Sequence, residues 1–375
     1  MKSNWRAYPL GEITDLVIDY RGKTPKKLGG DWSESGYRAL SAKNIKTGHI
    51  VQPDTIRFVS EEMYHKWMKD EIQRGDIIIT SEAPFGQILY WDSEEKIVLS
   101  QRLFGVRVKE EHDSKFVYYY MTTSDFQGEM DGRATGTTVV GLRQPELMKC
   151  VVRCPDLDTQ KKIASILSSI DEKILINDKI NENLQQQAQA IYASMFIDNA
   201  DPAWIQGHLS DLITVKYGKD HKKLGDGSYP VYGSGGIMRY VERPLYDKES
   251  VLIPRKGTLN NVMYVNQPFW SVDTMFYTEM KLPNVAKFVY HFVKAKDLAS
   301  MNAGSAVPSM TTDILNAMEV TIPSASALEE FESLVAPMYR AMQENDIQSS
   351  KLSELRDALL TKLMSGEIDV SDIQL

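Results

Sequence analysis

Cysteine is nearly absent: Cys150 and Cys154 are the only two in 375 residues. This excludes a disulfide framework and a four-cysteine zinc site, and both flank the apolar pair Val151 and Val152, which suits buried small residues. The six histidines (His49, His65, His112, His208, His221, His291) show no HExxH or paired spacing, so nothing supports a zinc enzyme. No apolar run approaches the ~18 residues of a membrane helix. Met1 to Trp5 starts no signal peptide, so a cytoplasmic protein with no membrane partner is expected. No two prolines are adjacent, which removes the Asx-Pro-Pro-aromatic tetrapeptide of base methyltransferases. A basic excess is lacking as well: 43 Lys and Arg against 51 Asp and Glu give −8. That argues against a uniformly basic coat, though nucleic-acid binding depends on where cations cluster. What remains, 42% hydrophobic and 25% charged residues, is ordinary globular composition, and the length suggests two or three domains.

Self-comparison reveals a tandem duplication. Trp5, Leu10 and Ile13 are matched by Trp204, Leu209 and Leu212, with an offset of 199 for the first two pairs. Gly22, Lys23, Lys26, Lys27, Leu28 and Gly29 recur 196 residues on as Gly218, Lys219, Lys222, Lys223, Leu224 and Gly225. From Ala134–Val139 against Asn302–Val307 the offset is 168, and it holds through Pro155/Pro323, Asn177/Asn345, Leu184/Leu352 and Ile191/Leu359. The difference between 199 and 168 gives the first copy about 31 extra residues, mostly between Lys27 and Ile79.

Each copy opens with a mixed segment. Asp76–Thr80, Ile97–Leu99 and Gly105–Val108 read as strands, as do Ser250–Ile253, Val262–Val265 and Phe276–Tyr277; Phe116–Met121 and Val285–Phe292 read as helices. The fold class is therefore α+β, with two similar domains of mixed, irregular β-sheet at residues 1–157 and 201–325. Each is followed by a long helix, at residues 158–200 and 326–375. Apolar residues recur at three- and four-residue steps: Ile163, Ile166, Ile170, Ile174, Ile180, Leu184, Ile191 and Met195, then Phe331, Leu334, Met338, Met342, Leu352, Leu355, Leu359 and Leu363. Asp158 is the expected N-cap of the first helix, and Ser326 with Glu329 the capping box of the second. Runs of about forty residues at ~1.5 Å each give rods of just under 60 Å. Such stripes predict an antiparallel coiled coil whose core is Ile163, Ile170, Asn177, Leu184 and Ile191 against Phe331, Met338, Asn345, Leu352 and Leu359. Asn177 and Asn345 would meet near its midpoint and fix the register, making the chain pseudo-two-fold.

Signals for catalysis are weak. Gly22, Lys23 and Thr24 end like a P-loop, but the required glycine at position 17 is Val17. Gly233, Gly235 and Gly236 lack dinucleotide-binding spacing and suit a turn. Asp156, then Asp171, Glu172 and Lys173, fit a loose nuclease pattern and define the alternative reading, a Mg-dependent stand-alone nuclease. Inside a helix, however, positions i and i+2 point apart. No catalytic and no metal-binding residues are assigned.

The cations segregate. From Tyr20 to Lys46, seven positive residues (Arg21, Lys23, Lys26, Lys27, Arg38, Lys43, Lys46) face two acids, Asp31 and Glu34. The matching stretch in the second copy carries Lys219, Lys222 and Lys223 against Asp220. Recurrence in glycine-containing loops suggests phosphate contacts, which anchor DNA without reading it. Residues suited to base edges are Asn44, Arg143 and Gln144 in the first copy, and Arg239, Arg255, Asn260 and Asn261, with Lys256 beside them, in the second.

Several stretches resemble the DNA-specificity (S) subunit of type I restriction–modification systems. Ala39–Gly48 (ALSAKNIKTG) and Gly75–Ile79 (GDIII) look like its target-recognition domain; Asp158–Leu167 (DTQKKIASIL) and Ile170–Ile174 (IDEKI) look like its central conserved helix. Tyr229–Ser234 (YPVYGS) and Leu359–Ile368 (LLTKLMSGEI) look like its second half. One departure is the helix after Ser326, which lacks the Gln-Lys-Lys-Ile sequence of the first. The resemblance implies a non-catalytic subunit that chooses the DNA site. Each domain would read one half of a bipartite target in double-stranded DNA, and the helices would set the gap, bounded at about 17 base pairs by their length. It also implies docking of methyltransferase subunits, expected to number two, and of motor–nuclease subunits. S-adenosylmethionine, ATP and Mg would then sit on those partners and no cofactor on this chain.

Overall fold

The structure, a computed structural model, describes residues 5–136, 139–301 and 309–373. The echo at Asn302–Val307 lies outside the described residues. The chain forms two compact units, Met1–Leu175 with Gln348–Leu375, and Ile176–Ile347. The division falls inside both long helices.

In the first unit the strands are β1 (Arg6–Pro9), β2 (Thr14–Ile18), β3 (Tyr37–Leu40), β4 (Ile45–Lys46), β5 (His49–Ile50), β6 (Arg57–Val59), β7 (Ile77–Thr80), β8 (Ile88–Tyr90), β9 (Val98–Leu99), β10 (Leu103–Val108) and β11 (Val151–Cys154). Its helices are α1 (Leu10–Ile13), α2 (Glu61–Trp67), α3 (Ser114–Thr122), α4 (Ser124–Arg133), α5 (Gln144–Leu147) and the start of α6 (Leu157–Ala193). The second unit has β12 (Ile205–His208), β13 (Ile213–Tyr217), β14 (Tyr229–Gly233), β15 (Gly236–Val241), β16 (Ser250–Pro254), β17 (Met263–Val265), β18 (Trp270–Ser271), β19 (Met275–Met280) and β20 (Glu319–Ile322). With them are α7 (Leu209–Leu212), α8 (Ala286–Lys294), α9 (Thr312–Asn316) and much of α10 (Ala325–Met364).

Topology repeats strand for strand. The order β2-β10-β7-β8 recurs as β13-β19-β16-β17, β6-β3-β9 as β15-β14-β18, and the pair β1-β11 as β12-β20. Even the polarity repeats, since β3 runs parallel to β9 and antiparallel to β6, as β14 does to β18 and β15. The first copy's extra residues form the β4–β5 hairpin, α2 and their loops.

Strand β7 reads as a continuous apolar run because both its faces are buried. Ile77 and Ile79 point with Phe104 and Val106 into a core shared with α3, whose Phe116–Met121 are all buried. Ile78 points the other way, into a second core with Trp67 and Leu99. The second unit repeats this alternation, with Val251 and Ile253 packing toward Phe288 of α8 and Leu252 toward Phe269.

The long helices contain 37 and 40 residues, about 55 and 60 Å at ~1.5 Å per residue. Their caps lie two residues earlier than expected. Asp156, not Asp158, accepts from the Thr159 N–H at 2.9 Å, and Ser324, not Ser326, accepts from Ala327 at 3.2 Å. Pro337 stands within α10, which continues through it.

Packing is antiparallel in each unit. In the first, Asp171 pairs with Arg356 at 2.9 Å, and Ile163 and Leu167 share a core with Leu363. In the second, Asn181 donates to Asp346 at 2.7 Å while Tyr192 meets Phe331. Asn177 is fully buried and donates to the Asn345 carbonyl at 3.5 Å; the half-buried Asn345 donates to Asn181 at 2.8 Å.

The apolar stripe needs correction. Ile163, Ile170 and Phe331 are buried, but Leu184, Ile191, Met338, Leu352 and Leu359 are only partly so, and Ile180, Leu334 and Leu355 are exposed. A straight helix drifts about 20° per heptad from a 3.5-residue repeat, so a fixed stripe wanders off the contact line. Much of the burial also comes from the domains. Phe331, Val335 and Tyr339 pack with α8 as well as with Tyr192 of the facing helix.

His291, fully buried on α8, lies 2.8 Å from Gln189 Oε1 and 2.9 Å from the Tyr339 hydroxyl. Burial pushes its pKa down to about 4. Because the unfolded state protonates near 6.5, the neutral imidazole's stabilisation is present above that pH and is lost as pH falls toward 4. Acidification from pH 7 to 4.5 should therefore remove about 2 kcal/mol through this group. Urea denaturation at the two pH values should show a smaller loss for His291→Gln; an equal loss would assign the acid sensitivity elsewhere.

Candidate nucleic-acid interface

Because the central sheet is covered on both faces, its exposed functional edge is a strand end, where loops gather. In the first unit four connections meet there. Leu142 donates to the Ser81 carbonyl at 3.0 Å, Ser81 to the Arg102 carbonyl at 2.8 Å, and Ala42 to the Gln101 carbonyl at 3.1 Å. Arg21, in the loop after β2, pairs with Asp19 at 2.8 Å and lies 4.0 Å over the Phe104 ring. The second unit builds the same end: Met310 donates to the Arg255 carbonyl at 2.9 Å, Arg255 to Thr274 at 2.8 Å and Lys219 to Ser271 at 2.8 Å. The Arg255 guanidinium lies 5.3 Å from the Tyr217 ring and donates to the Asp273 carbonyl at 3.1 Å. Leu142 and Met310 are separated by 168, the repeat offset, and make equivalent bonds.

A cleft of about 240 Å³ opens at this end of the first unit, lined by Trp32, Lys43, Arg57, Gln101 and Arg102 among others. Its described lining holds three cations and no carboxylate, although Glu82 pairs with Arg102 at 3.3 Å from outside. The Arg57 guanidinium lies 4.8 Å over Trp32, which packs on Trp67. Arg102 occupies the left-handed region at φ 66°, in the tight β9–β10 turn. Cations with an aromatic face, in a cleft free of acid, can hold phosphate oxygens or stack and hydrogen-bond a base.

The expected contact residues divide by what their side chains already do. Among the described residues, no ion pair or side-chain hydrogen bond engages the exposed Lys26, Lys43, Lys46, Arg143, Lys219, Lys222, Lys223 or Lys256. Gln144 is half-buried at the start of α5. Others are occupied. Lys23 donates to the Trp67 carbonyl at 2.8 Å, Lys27 to the Gly22 carbonyl at 2.7 Å, and Arg38 is paired with Glu95. Arg239 is held by the Leu224 carbonyl and Asp226, each at 2.9 Å. Asn260 bonds Asp297 and the Ala299 N–H, and Asn261 donates to the Ser234 carbonyl at 2.8 Å.

Asn44 is corrected to a structural role. It is buried, its Oδ1 accepts from the Ser41 N–H and hydroxyl at 3.1 and 2.8 Å, and its Nδ2 donates to Thr55 at 2.9 Å. No edge is left for a base. Sequence reasoning missed Trp32, Arg57, Gln101 and Arg102, which come from separate stretches. The Ser33–Phe58 bridge sets Trp32 beside Arg57, and only that pairing makes the combination visible.

The nuclease alternative fails on geometry. Both oxygens of Asp171 are engaged, one by Arg356 and one by the Tyr119 hydroxyl at 2.6 Å, and Asp156 caps α6. Among the described residues no group of three metal-ligating side chains occurs, and no helix is long and apolar enough to cross a membrane. The Cys150 and Cys154 thiols are buried and pushed up to about 11 and 12 by desolvation, so neither is a thiolate near neutrality.

A duplicated α+β domain, each copy followed by a long helix, is the class of protein this geometry defines. The family model of the type I restriction modification DNA specificity domain matches residues 2–186 and 203–332. The chain belongs to that family. It is 22% identical over 343 residues to the type I restriction enzyme MjaIX specificity subunit of Methanocaldococcus jannaschii, covering 80% of this chain and 79% of that one. To the HindI specificity subunit of Haemophilus influenzae it is also 22% identical, covering 80% and 88%. The crystal structure of the S subunit of a type I restriction–modification system from M. genitalium shares the fold, with a TM-score of 0.61, 19% identity and 96% of each chain covered.

Replacing Lys43 and Arg57 together by alanine should lower the salt dependence of DNA binding by about 2 in log–log slope, at ~0.9 for each phosphate left without its cation. Asn44→Ala should leave that slope unchanged and instead destabilise the domain by about 1–3 kcal/mol. Anisotropy titrations over a salt series and thermal melts separate the two; a slope change for Asn44→Ala alone would reverse the assignment.

Proposed function

We propose that this chain is the non-catalytic DNA-specificity subunit of a type I restriction–modification complex, each domain reading one half of a bipartite site in double-stranded DNA. The observation that carries the reading is the loop-bearing strand end built twice with equivalent backbone bonds, Leu142 to Ser81 and Met310 to Arg255, and furnished with cations in both copies. Repetition of scaffold with divergence of loops suits two readers of unlike half-sites. Phosphate contacts come from the exposed Lys26, Lys43 and Lys46 in the first copy and from Lys219, Lys222, Lys223 and Lys256 in the second. Arg143, Gln144 and Arg255 lie at the same ends and are candidates for base edges.

The long helices set the separation of half-sites and dock methyltransferase subunits, two in number, with motor–nuclease subunits joining for cleavage. S-adenosylmethionine, ATP and Mg belong to those partners in this scheme, and the chain acts in the cytoplasm, on DNA. Its own contribution is recognition, which needs no cofactor.

Mapping methylated bases in cells with the gene present and deleted tests the reading directly: a bipartite motif should vanish on deletion. Exchange of residues 201–325 for the equivalent domain of a relative should change one half of that motif, and a change in both halves would refute independent reading. Because the helices pack antiparallel, the ruler is tested by adding seven residues to both, after Asn177 and before Asn345. Two turns, roughly 10 Å, should widen the gap by about three base pairs; an unaltered gap eliminates the ruler.

A further inference from the structure

The connection between β14 and β15 contains two residues, Ser234 and Gly235, where the topologically equivalent connection between β3 and β6 contains sixteen, 41–56. In the first unit this segment carries Lys43 and Lys46 and is pinned internally by Asn44. In the second it is a bare turn. Gly236 has φ +111°, which only glycine adopts without strain, and nothing lies within 4 Å of where a Cβ would stand at Gly235 or Gly236.

Three apolar side chains follow this turn into solvent. Ile237, Met238 and Tyr240 are 49%, 61% and 50% exposed, an unusual grouping on one six-residue strand. The polar member of the strand, Arg239, is drawn back to Leu224 and Asp226 and is not free to reach a guanine. Gly233 keeps room for Met238, since a Cβ there would fall 2.5 Å from the thioether sulfur. The tip is tied by Asn261 to the loop that bears Lys256, and the exposed Lys219 pairs through its backbone with Ser271 on the strand end beside β14.

We infer that the β14–β15 hairpin is the base-reading element of the second domain, a ribbon that enters the major groove and meets thymine methyl groups with Ile237 and Met238. The inference rests on the DNA-reading function proposed above. A two-stranded ribbon fits the ~12 Å major groove, where the thymine methyl is the apolar feature on offer. Flanking cations complement the phosphates on either side, which selects duplex DNA over an apolar protein partner. The two domains thus share a scaffold and read by opposite chemistry, a cationic aromatic cleft in one and an apolar tip in the other.

The test uses the complex of the full chain with its methyltransferase subunits. Its probes are a duplex carrying the mapped site, the same duplex with the thymines of the second half-site replaced by deoxyuridine, and a scrambled duplex. Ile237→Ala with Met238→Ala should weaken binding to the site about tenfold, with the scrambled duplex and the salt slope unchanged. Deoxyuridine should weaken the unaltered complex about fourfold per contacted methyl and have no further effect on the variant. If the unaltered complex prefers the site over the scrambled duplex, but the variant or deoxyuridine has no effect, or the variant weakens both duplexes equally, the hairpin inference falls while the proposed function stands. If the unaltered complex shows no such preference, the proposed function itself falls.

Discussion

The structure depends on one constraint, a sheet strand that must bury both faces at once. Ile77 and Ile79 face one core while Ile78 faces another, and Val251 and Ile253 stand opposed to Leu252 in the same way. With both surfaces sealed, the sheet can meet a ligand only at the ends of its strands. Loops placed there can vary in length and charge around the few side chains that anchor them in the cores, such as Ala42, Ile45 and Leu142 in the first unit and Leu259 and Met310 in the second.

The long helices answer a related problem. An apolar stripe on a rod of 37 or 40 residues needs cover along its length, and the facing rod provides only part of it. Ile163 and Leu167 of α6 are buried among α3 residues, and Phe331 and Val335 of α10 among α8 residues. Within the second unit the two helices also make the polar contact of Asn177, Asn181, Asn345 and Asp346. Apolar packing there would tolerate sliding by a turn, whereas a set of directional bonds does not, so the polar contact specifies register.

Much of the architecture was legible in the sequence. The duplication followed from matched glycines, lysines and asparagines at stable offsets, and strands such as β7 and β16 followed from unbroken apolar runs between turn signals. The helices were equally plain from periodicity, though their caps were misplaced by two residues because several Asp and Ser residues compete for that position. The recognition end was legible only in part. Clustered lysines after β2 and β13 marked the region, but composition cannot say which cation is already spent. Lys23 and Lys27 turn to carbonyls of their own domain, Arg38 to Glu95, and Asn44 to the loop it sits in. The cleft residues Trp32, Arg57 and Gln101 were invisible because strand pairing, and not proximity in the chain, assembles them.

By itself the sequence determined that a unit of α+β domain and long helix occurs twice, and its motifs were enough to place the family. Those properties reside in local periodicity and in repeats that survive without knowledge of distant neighbours. Only the tertiary structure decided which polar groups are free. A side chain's availability depends on the carbonyls, carboxylates and rings that folding brings within about 3–4 Å, and some of these are remote along the chain, as the Trp67 carbonyl is from Lys23 and Glu95 is from Arg38.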